Sequence, residues 1–251
     1  MKPSSAIAIT VCALIYAWTG TLRAAPGGTA VLATDATAQL LAEVGQTAKV
    51  GQTADVRKVD AKNSDEGFVS LFNGKDFSGW VSMGKQEAWQ IKNGIIRSDG
   101  DTGGFWLRSE KKYRNFIWKV DWKISKGGNS GAYLRSAKKD LPWETGYEVQ
   151  ISNDPRDDLH CTGSLYGHAA VKPRPDESPD KWHTFQMRCE DAHITVTCDG
   201  VKCVDFDQSK AEISKNKPLE GYIGLQDAHG SKGHYVEYRN IKIKVLDKVK
   251  R

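Results

Sequence analysis

The stretch Phe116-Ile117-Trp118-Lys119-Val120-Asp121-Trp122-Lys123-Ile124 constrains the chain more than any other. Every even position is apolar, while Lys119, Asp121 and Lys123 fall between them. In a strand, alternate side chains point to opposite faces, so this pattern gives one buried and one wet face. A helix would scatter the same residues around its axis. A half-apolar strand needs a second layer to cover it, and no helical stripe of useful length occurs that could supply one. The cover must come from other strands.

Those strands can be read along the chain. Phe68 to Phe72 is a short apolar run stopped by Asn73-Gly74. Trp89-Gln90-Ile91 and Ile95-Ile96-Arg97 flank Lys92-Asn93-Gly94, which signals a hairpin. His183 to Cys189, His193 to Cys198 and Val201 to Phe206 follow, the last two joined by the two-residue turn Asp199-Gly200. Gly221 to Gln226 and Tyr235 to Val245 close the series. In the last segment Val236 and Tyr238 keep one parity and Ile241, Ile243 and Val245 the other, so a bulge is expected near Arg239-Asn240. Many short strands with Gly- and Asn-rich turns predict an all-β fold, an antiparallel β-sandwich over residues 66–247.

The residues before it read differently. Met1-Lys2 and the apolar run from Ala6 to Trp18, followed by small residues up to Ala25, have the layout of a signal peptide over residues 1–25. Residues 26–65 are rich in Ala, Thr, Gly and Val, and Val44-Gly45-Gln46-Thr47-Ala48 recurs as Val50-Gly51-Gln52-Thr53-Ala54. Such a stretch offers little apolar surface to bury and reads as a flexible low-complexity spacer. The expected location is therefore secreted or periplasmic. No other apolar run approaches the length of a membrane span, so no stable membrane insertion of the mature chain is expected. A net charge of +5, spread among acids along the whole chain, argues against nucleic acid as a partner. Protein partners are left open. Beyond Cys12, the cysteines Cys161, Cys189, Cys198 and Cys203 are even in number, which permits up to two disulfides without fixing their pairing.

Six blocks then appear in order. They are Leu71-Phe72-Asn73-Gly74-Lys75-Asp76-Phe77-Ser78-Gly79-Trp80, Gly128 to Arg135, Gly146-Tyr147-Glu148-Val149-Gln150-Ile151, Thr162-Gly163-Ser164-Leu165-Tyr166-Gly167, Ile223-Gly224-Leu225-Gln226-Asp227-Ala228-His229-Gly230, and Tyr238-Arg239-Asn240-Ile241-Lys242-Ile243. In this series the chain resembles the 3-keto-disaccharide hydrolase family. The resemblance implies a concanavalin-like jelly roll, export, and a hydrolase acting on 3-keto-disaccharides or 3-keto-glycosides. The chain departs from the family pattern by inserting Ala228 before His229.

The pleat sorts the candidate site residues. Tyr147, Val149 and Ile151 share one face, and Glu148 and Gln150 share the other. Tyr133 and Arg135 point away from Ala132 and Leu134, and Gln226 is opposite in parity to Ile223 and Leu225. If the strands are neighbours, Arg135 and Glu148 meet on a polar face, with Tyr166 and His229 above it on loops. The reading rests on those two charges projecting together into a sugar-sized hollow. A lone Glu with Gln150 as its neighbour two residues on fits poorly the paired carboxylates of an ordinary glycosidase. The resemblance implies a different chemistry. A ketone at C3 acidifies the C2 hydrogen, a base removes it, the aglycone leaves from C1, and water adds to the enone. Glu148 is then the expected base and His229 or Tyr166 the acid. Arg135 would stabilise the enolate, while Gln150, Gln226, Tyr133 and Asn129 bind substrate.

The plainer readings are a cross-strand ion pair between Glu148 and Arg135, a loop-pinning Tyr166, a turn-forming His229 and a Gln226 that only satisfies backbone groups. No cofactor is assigned; a divalent cation near Asp157, Asp158, His160 and His168 is an alternative stabiliser, although their spacing matches no standard site. The rival function is a non-catalytic carbohydrate-binding or lectin-like module, for which Trp80, Trp89, Trp106, Trp143 and Trp182 offer stacking surface. An enzyme should instead hold Glu148 in a pocket with a raised pKa.

Overall fold

The computed structural model describes residues 65–137, 141–230 and 232–246. All of them belong to the second of two compact units, Val59–Arg251. The expected signal peptide lies outside the described residues, as does the expected spacer apart from Asp65. That residue pairs with Lys119 and Lys242 at 2.9 and 2.7 Å.

Thirteen strands are described: β1 Val69–Ser70, β2 Trp80–Ser82, β3 Trp89–Lys92, β4 Ile95–Asp99, β5 Trp106–Tyr113, β6 Phe116–Ile124, β7 Asn129–Ser136, β8 Tyr147–Ser152, β9 His183–Glu190, β10 His193–Cys198, β11 Val201–Asp207, β12 Gly221–Gln226 and β13 Tyr235–Val245. One short α-helix, α1 (Pro142–Thr145), and two single-turn 3-10 segments, Gln86–Ala88 and Gln208–Lys210, interrupt the series. The larger sheet runs β11-β10-β9-β6-β13-β4-β3, with β1 also paired to β13, and the smaller runs β2-β5-β12-β7-β8. Every strand pair is antiparallel. The fold is an all-β antiparallel sandwich of the jelly-roll kind.

Strand β6 alternates as its sequence requires, with Phe116, Trp118, Val120, Trp122 and Ile124 buried and the residues between them half-exposed. Its buried face meets Ala132, Leu134, Tyr147, Val149 and Ile151 of the smaller sheet in one core. The β3–β4 hairpin turns on Asn93 and Gly94, both at positive φ (53° and 73°), where the missing side chain of Gly94 relieves the clash. The bulge in β13 falls between Arg239 and Lys242, with Asn240 at φ 51°. Before it β13 pairs with β4 and after it with β1, so one strand serves two neighbours on the same edge.

Cys161, Cys189, Cys198 and Cys203 are free buried thiols, so the permitted disulfides do not form. The register explains this for the three on strands. Cys189 lies opposite Ile194 and Cys198 opposite Phe185 and Val201, while Cys203 sits where the β10–β11 register shifts. No two cysteines face each other across a ladder.

Candidate functional site

Strands β7 and β8 are buried on both faces almost throughout. One face joins the core. The other carries Glu148 and Gln150, with Tyr133 opposite Glu148 and Gly131 opposite Gln150 in the ladder. From the next strand, β12, Gln226 reaches the same face. This polar face is buried because four segments roof it. The β4–β5 loop brings Phe105, α1 brings Trp143, the chain after β8 brings Tyr166, and the chain after β12 brings Asp227 and His229. Together they enclose a pocket of about 260 Å³ lined by Phe105, Asn129, Trp143, Glu148, Gln150, Tyr166, Gln226, Asp227 and His229. That is slightly below the usual range for ligand sites (about 300–1,000 Å³) and is sized for one small ring.

Six of the eight residues expected from the sequence line this pocket: Asn129, Glu148, Gln150, Tyr166, Gln226 and His229. Tyr133 lies directly beneath, fully buried, its hydroxyl bonded to the Gln226 amide. Its ring packs edge-on against Trp106, 5.5 Å between centroids.

Arg135 is the exception. Tyr133 pairs with Gly224 and Ser136 with Tyr222, so Leu134 and Arg135 together oppose the single residue Ile223. The extra residue makes a bulge with Arg135 at φ 54°, and strict alternation ends there. Its guanidinium turns away from Glu148 to the carbonyls of Arg114 (3.1 and 2.6 Å) and Asp191 (2.7 Å). Fully buried there, it ties the β5–β6 turn to the β9–β10 turn. The expected Glu148–Arg135 pair does not exist: the two charges do not project together into the hollow, only Glu148 does, and Arg135 is structural.

Glu148 is buried, and among the described residues no side chain hydrogen-bonds or ion-pairs with it. Desolvation pushes its carboxyl up to about 8, opposed only by the more distant positive charge of Arg156. The carboxyl group lies over Gly131: a Cβ added there would stand 2.4 Å from Glu148 Oε1. Glycine at 131 is thus a requirement of the site. The backbone of Glu148 is fixed from the far side, its carbonyl accepting from Tyr166 N at 2.9 Å. Gln150 Nε2 donates to Asn129 Oδ1 at 2.7 Å, which leaves the Asn129 NH₂ as a free donor and the Gln150 carbonyl as an acceptor.

Sequence reasoning missed three lining residues. Phe105 stands at φ 59°, a conformation unfavourable for a bulky residue. Its N–H donates to Asp227 Oδ2 at 2.8 Å, and its carbonyl accepts from Asp227 N at 3.1 Å. Burial pushes the Asp227 carboxyl up, partly offset by that N–H. Trp143 stands edge-on to Phe105 at 6.4 Å and 6.4 Å from Tyr133. Lys217 anchors its helix by donating to the carbonyls of Trp143, Glu144 and Gly146 at 3.1, 2.6 and 2.6 Å. Of these three, the sequence singles out Trp143 only as stacking surface and Asp227 only as part of a family block. Of the other tryptophans considered for stacking, Trp80, Trp89 and Trp106 are buried, and Trp182 packs beneath Arg239 on the larger sheet.

Among the described residues, no group of three or more His, Cys, Asp or Glu could hold a metal ion. The residues considered for one are dispersed: Asp157 pairs with His160 at 2.8 Å, Asp158 with Arg174 at 3.4 Å, and His168 bonds Ser214 at 2.8 Å. No described helix is long and apolar enough to cross a membrane.

Residues 67–244 match the model of the 3-keto-alpha-glucoside-1,2-lyase-like domain. A 3-keto-disaccharide hydrolase of Bacteroides thetaiotaomicron is 26% identical over 234 residues, spanning 72% of this chain and 79% of that protein. Among solved structures, a candidate glycosyl hydrolase from Parabacteroides distasonis ATCC 8503 superposes with TM-score 0.64 at 28% identity, covering 74% of this chain and 97% of its own. Another from the same strain gives TM-score 0.63 at 24% identity, covering 71% and 99%, and speaks for the fold.

Proposed function

Because the chain belongs to the 3-keto-alpha-glucoside-1,2-lyase-like domain family, we propose that it is an exported hydrolase that cleaves 3-keto-disaccharides or 3-keto-glycosides by elimination and hydration. The observation that carries this reading is the carboxyl of Glu148, buried in a pocket without a side-chain partner among the described residues and pushed up to about 8, while the pocket's other carboxyl, Asp227, is engaged by Phe105 N. A binding module gains nothing from such a group. A base that must remove a proton from carbon gains strength from it, because the ionised form holds a proton more tightly than an ordinary carboxylate.

In the first step Glu148 takes the C2 hydrogen, and the C–H electron pair is delocalised onto the C3 ketone oxygen as an enolate. The enolate then collapses to the C1=C2 double bond as the C1–O pair departs with the aglycone oxygen. The His229 imidazole, on the rim, gives that oxygen its proton, with the Tyr166 phenol as the alternative donor in the pocket. Water then adds across the enone, its hydroxyl to C1 and a proton to C2, which Glu148 can return. Arg135 being structural, the enolate oxygen is met by neutral donors. The Asn129 NH₂ is the one whose partner geometry leaves it free, and neutral donors held in a buried site stabilise developing charge well. Gln150 and Gln226 orient ring hydroxyls.

The test is incubation with a panel of disaccharides, each in its native and 3-oxidised form, with aglycone release measured. Release from the oxidised forms alone, abolished in Glu148→Gln while the fold is kept, is the expected result. Binding of unmodified polysaccharide without any product release would overturn the enzymatic reading in favour of a carbohydrate-binding module.

A further inference from the structure

A second hollow, of about 460 Å³, adjoins the pocket and shares Asp227 and His229 with it as a common wall. Its far side is made by Lys85, Asp101, Thr102 and Gly103. The two loops that supply these residues are locked together. Lys85 N donates to Gly103 O at 2.9 Å, and a Cβ on Gly84 would fall 2.5 Å from that same oxygen, so the loops touch backbone to backbone. The aliphatic stem of Lys85 lies over Gly103, 3.6 Å from where a Cβ would be. Thr102 Oγ1 donates to Asp99 O at 2.6 Å, fixing the turn that presents Asp101 at φ 65°. Among the described residues the Lys85 ammonium and the Asp101 carboxylate have no ion-pair or hydrogen-bond partner. The hollow therefore offers one ammonium and two carboxyls, Asp101 and Asp227, with the His229 imidazole and no Phe, Tyr or Trp in its lining.

We propose that this hollow binds the leaving group, with the 3-keto ring in the aromatic-walled pocket and the scissile bond crossing the Asp227–His229 wall. The inference rests on the elimination reading above and adds the direction in which the substrate lies. It places His229 between the two halves of the substrate, where the departing oxygen needs a proton. The lining also selects the chemistry of the leaving group. One ammonium, two carboxyls, an imidazole and a hydroxyl set donors and acceptors side by side, which suits a polyhydroxylated group such as a second sugar.

The experiment compares two substrates that share one 3-keto ring, a 3-keto-disaccharide and the corresponding methyl 3-keto-glycoside. The measured quantity is the ratio of kcat/KM for the first over the second, in the full chain and in Lys85→Met, Asp101→Asn and the double variant. Lys85 and Asp101 are exposed and carry no core contacts, so the variants fold. Loss of two hydrogen-bonding groups predicts at least a tenfold fall of the ratio in the double variant, with smaller falls in the singles. An unchanged ratio, with both substrates still cleaved, overturns the subsite and leaves the elimination reading standing. Failure of the unaltered protein to cleave either 3-keto substrate overturns that reading and the subsite with it.

Discussion

Replacing Glu148 by Gln removes one titrating proton from a place where folding has made ionisation expensive. The carboxyl holds its proton up to about 8 in the folded chain, against an ordinary value of 4.5, because burial penalises the charge. Between those two values the folded protein binds a proton that the unfolded chain has released. Stability must therefore fall as pH rises across that interval, and the loss is complete above the folded value. Each pH unit of the interval is worth about 1.4 kcal/mol, so the full penalty at pH 9 is on the order of 5 kcal/mol. Glutamine has nearly the same shape and no charge to desolvate. The variant should match the parent in stability near pH 5 and exceed it increasingly towards pH 9, by about 10–20 °C in Tm for a domain of this size. Denaturant or thermal unfolding of both proteins at pH 5, 6, 7, 8 and 9 measures this, and all other titrations cancel in the difference. The same carboxyl should give kcat/KM a rising limb, tenfold per pH unit, that levels near pH 8. A stability difference that stays constant from pH 5 to pH 9 would refute the reasoning, for it would mean that Glu148 ionises in the folded chain as it does in water. A dead enzyme that gains stability at alkaline pH is the signature of a residue kept for chemistry at the expense of the fold.

Two further outcomes follow from the geometry. Gly131→Ala places a methyl group 2.4 Å from Glu148 Oε1, so the carboxyl must move off C2; kcat should fall by about 10²-fold or more with little change in Tm, and a variant with normal kcat would dismiss Gly131 as the floor of the site. Arg135→Met leaves the buried carbonyls of Arg114 and Asp191 without their donor; unfolding should become easier by about 2–4 kcal/mol while kcat of the folded fraction is retained, whereas a selective loss of kcat would return Arg135 to the catalytic machinery.

Much of this was legible in the order of residues, and the limit of legibility is itself physical. Alternation along a strand is a local property of the backbone, so the sequence determined by itself that β6 buries its even positions, that Glu148 and Gln150 share the face opposite Tyr147, Val149 and Ile151, and that β13 bulges near Asn240. In β13 the bulge is visible because apolar residues lie on both sides of it and their parity changes. In β7 the residue that moves is Arg135 itself, with no apolar marker beyond it to betray the slip. Its bulge is decided by the pairing with β12, which sets two residues against Ile223. The tertiary structure alone also decided the walls. Phe105, Trp143 and Asp227 come from separate loops, and their convergence depends on contacts such as Lys217 with the carbonyls of α1 and Asp227 with the backbone of Phe105. The carboxyl at 148 is in the sequence. Its unusual proton affinity is not, because desolvation is a property of everything packed around a group, and that is assembled only when the chain folds.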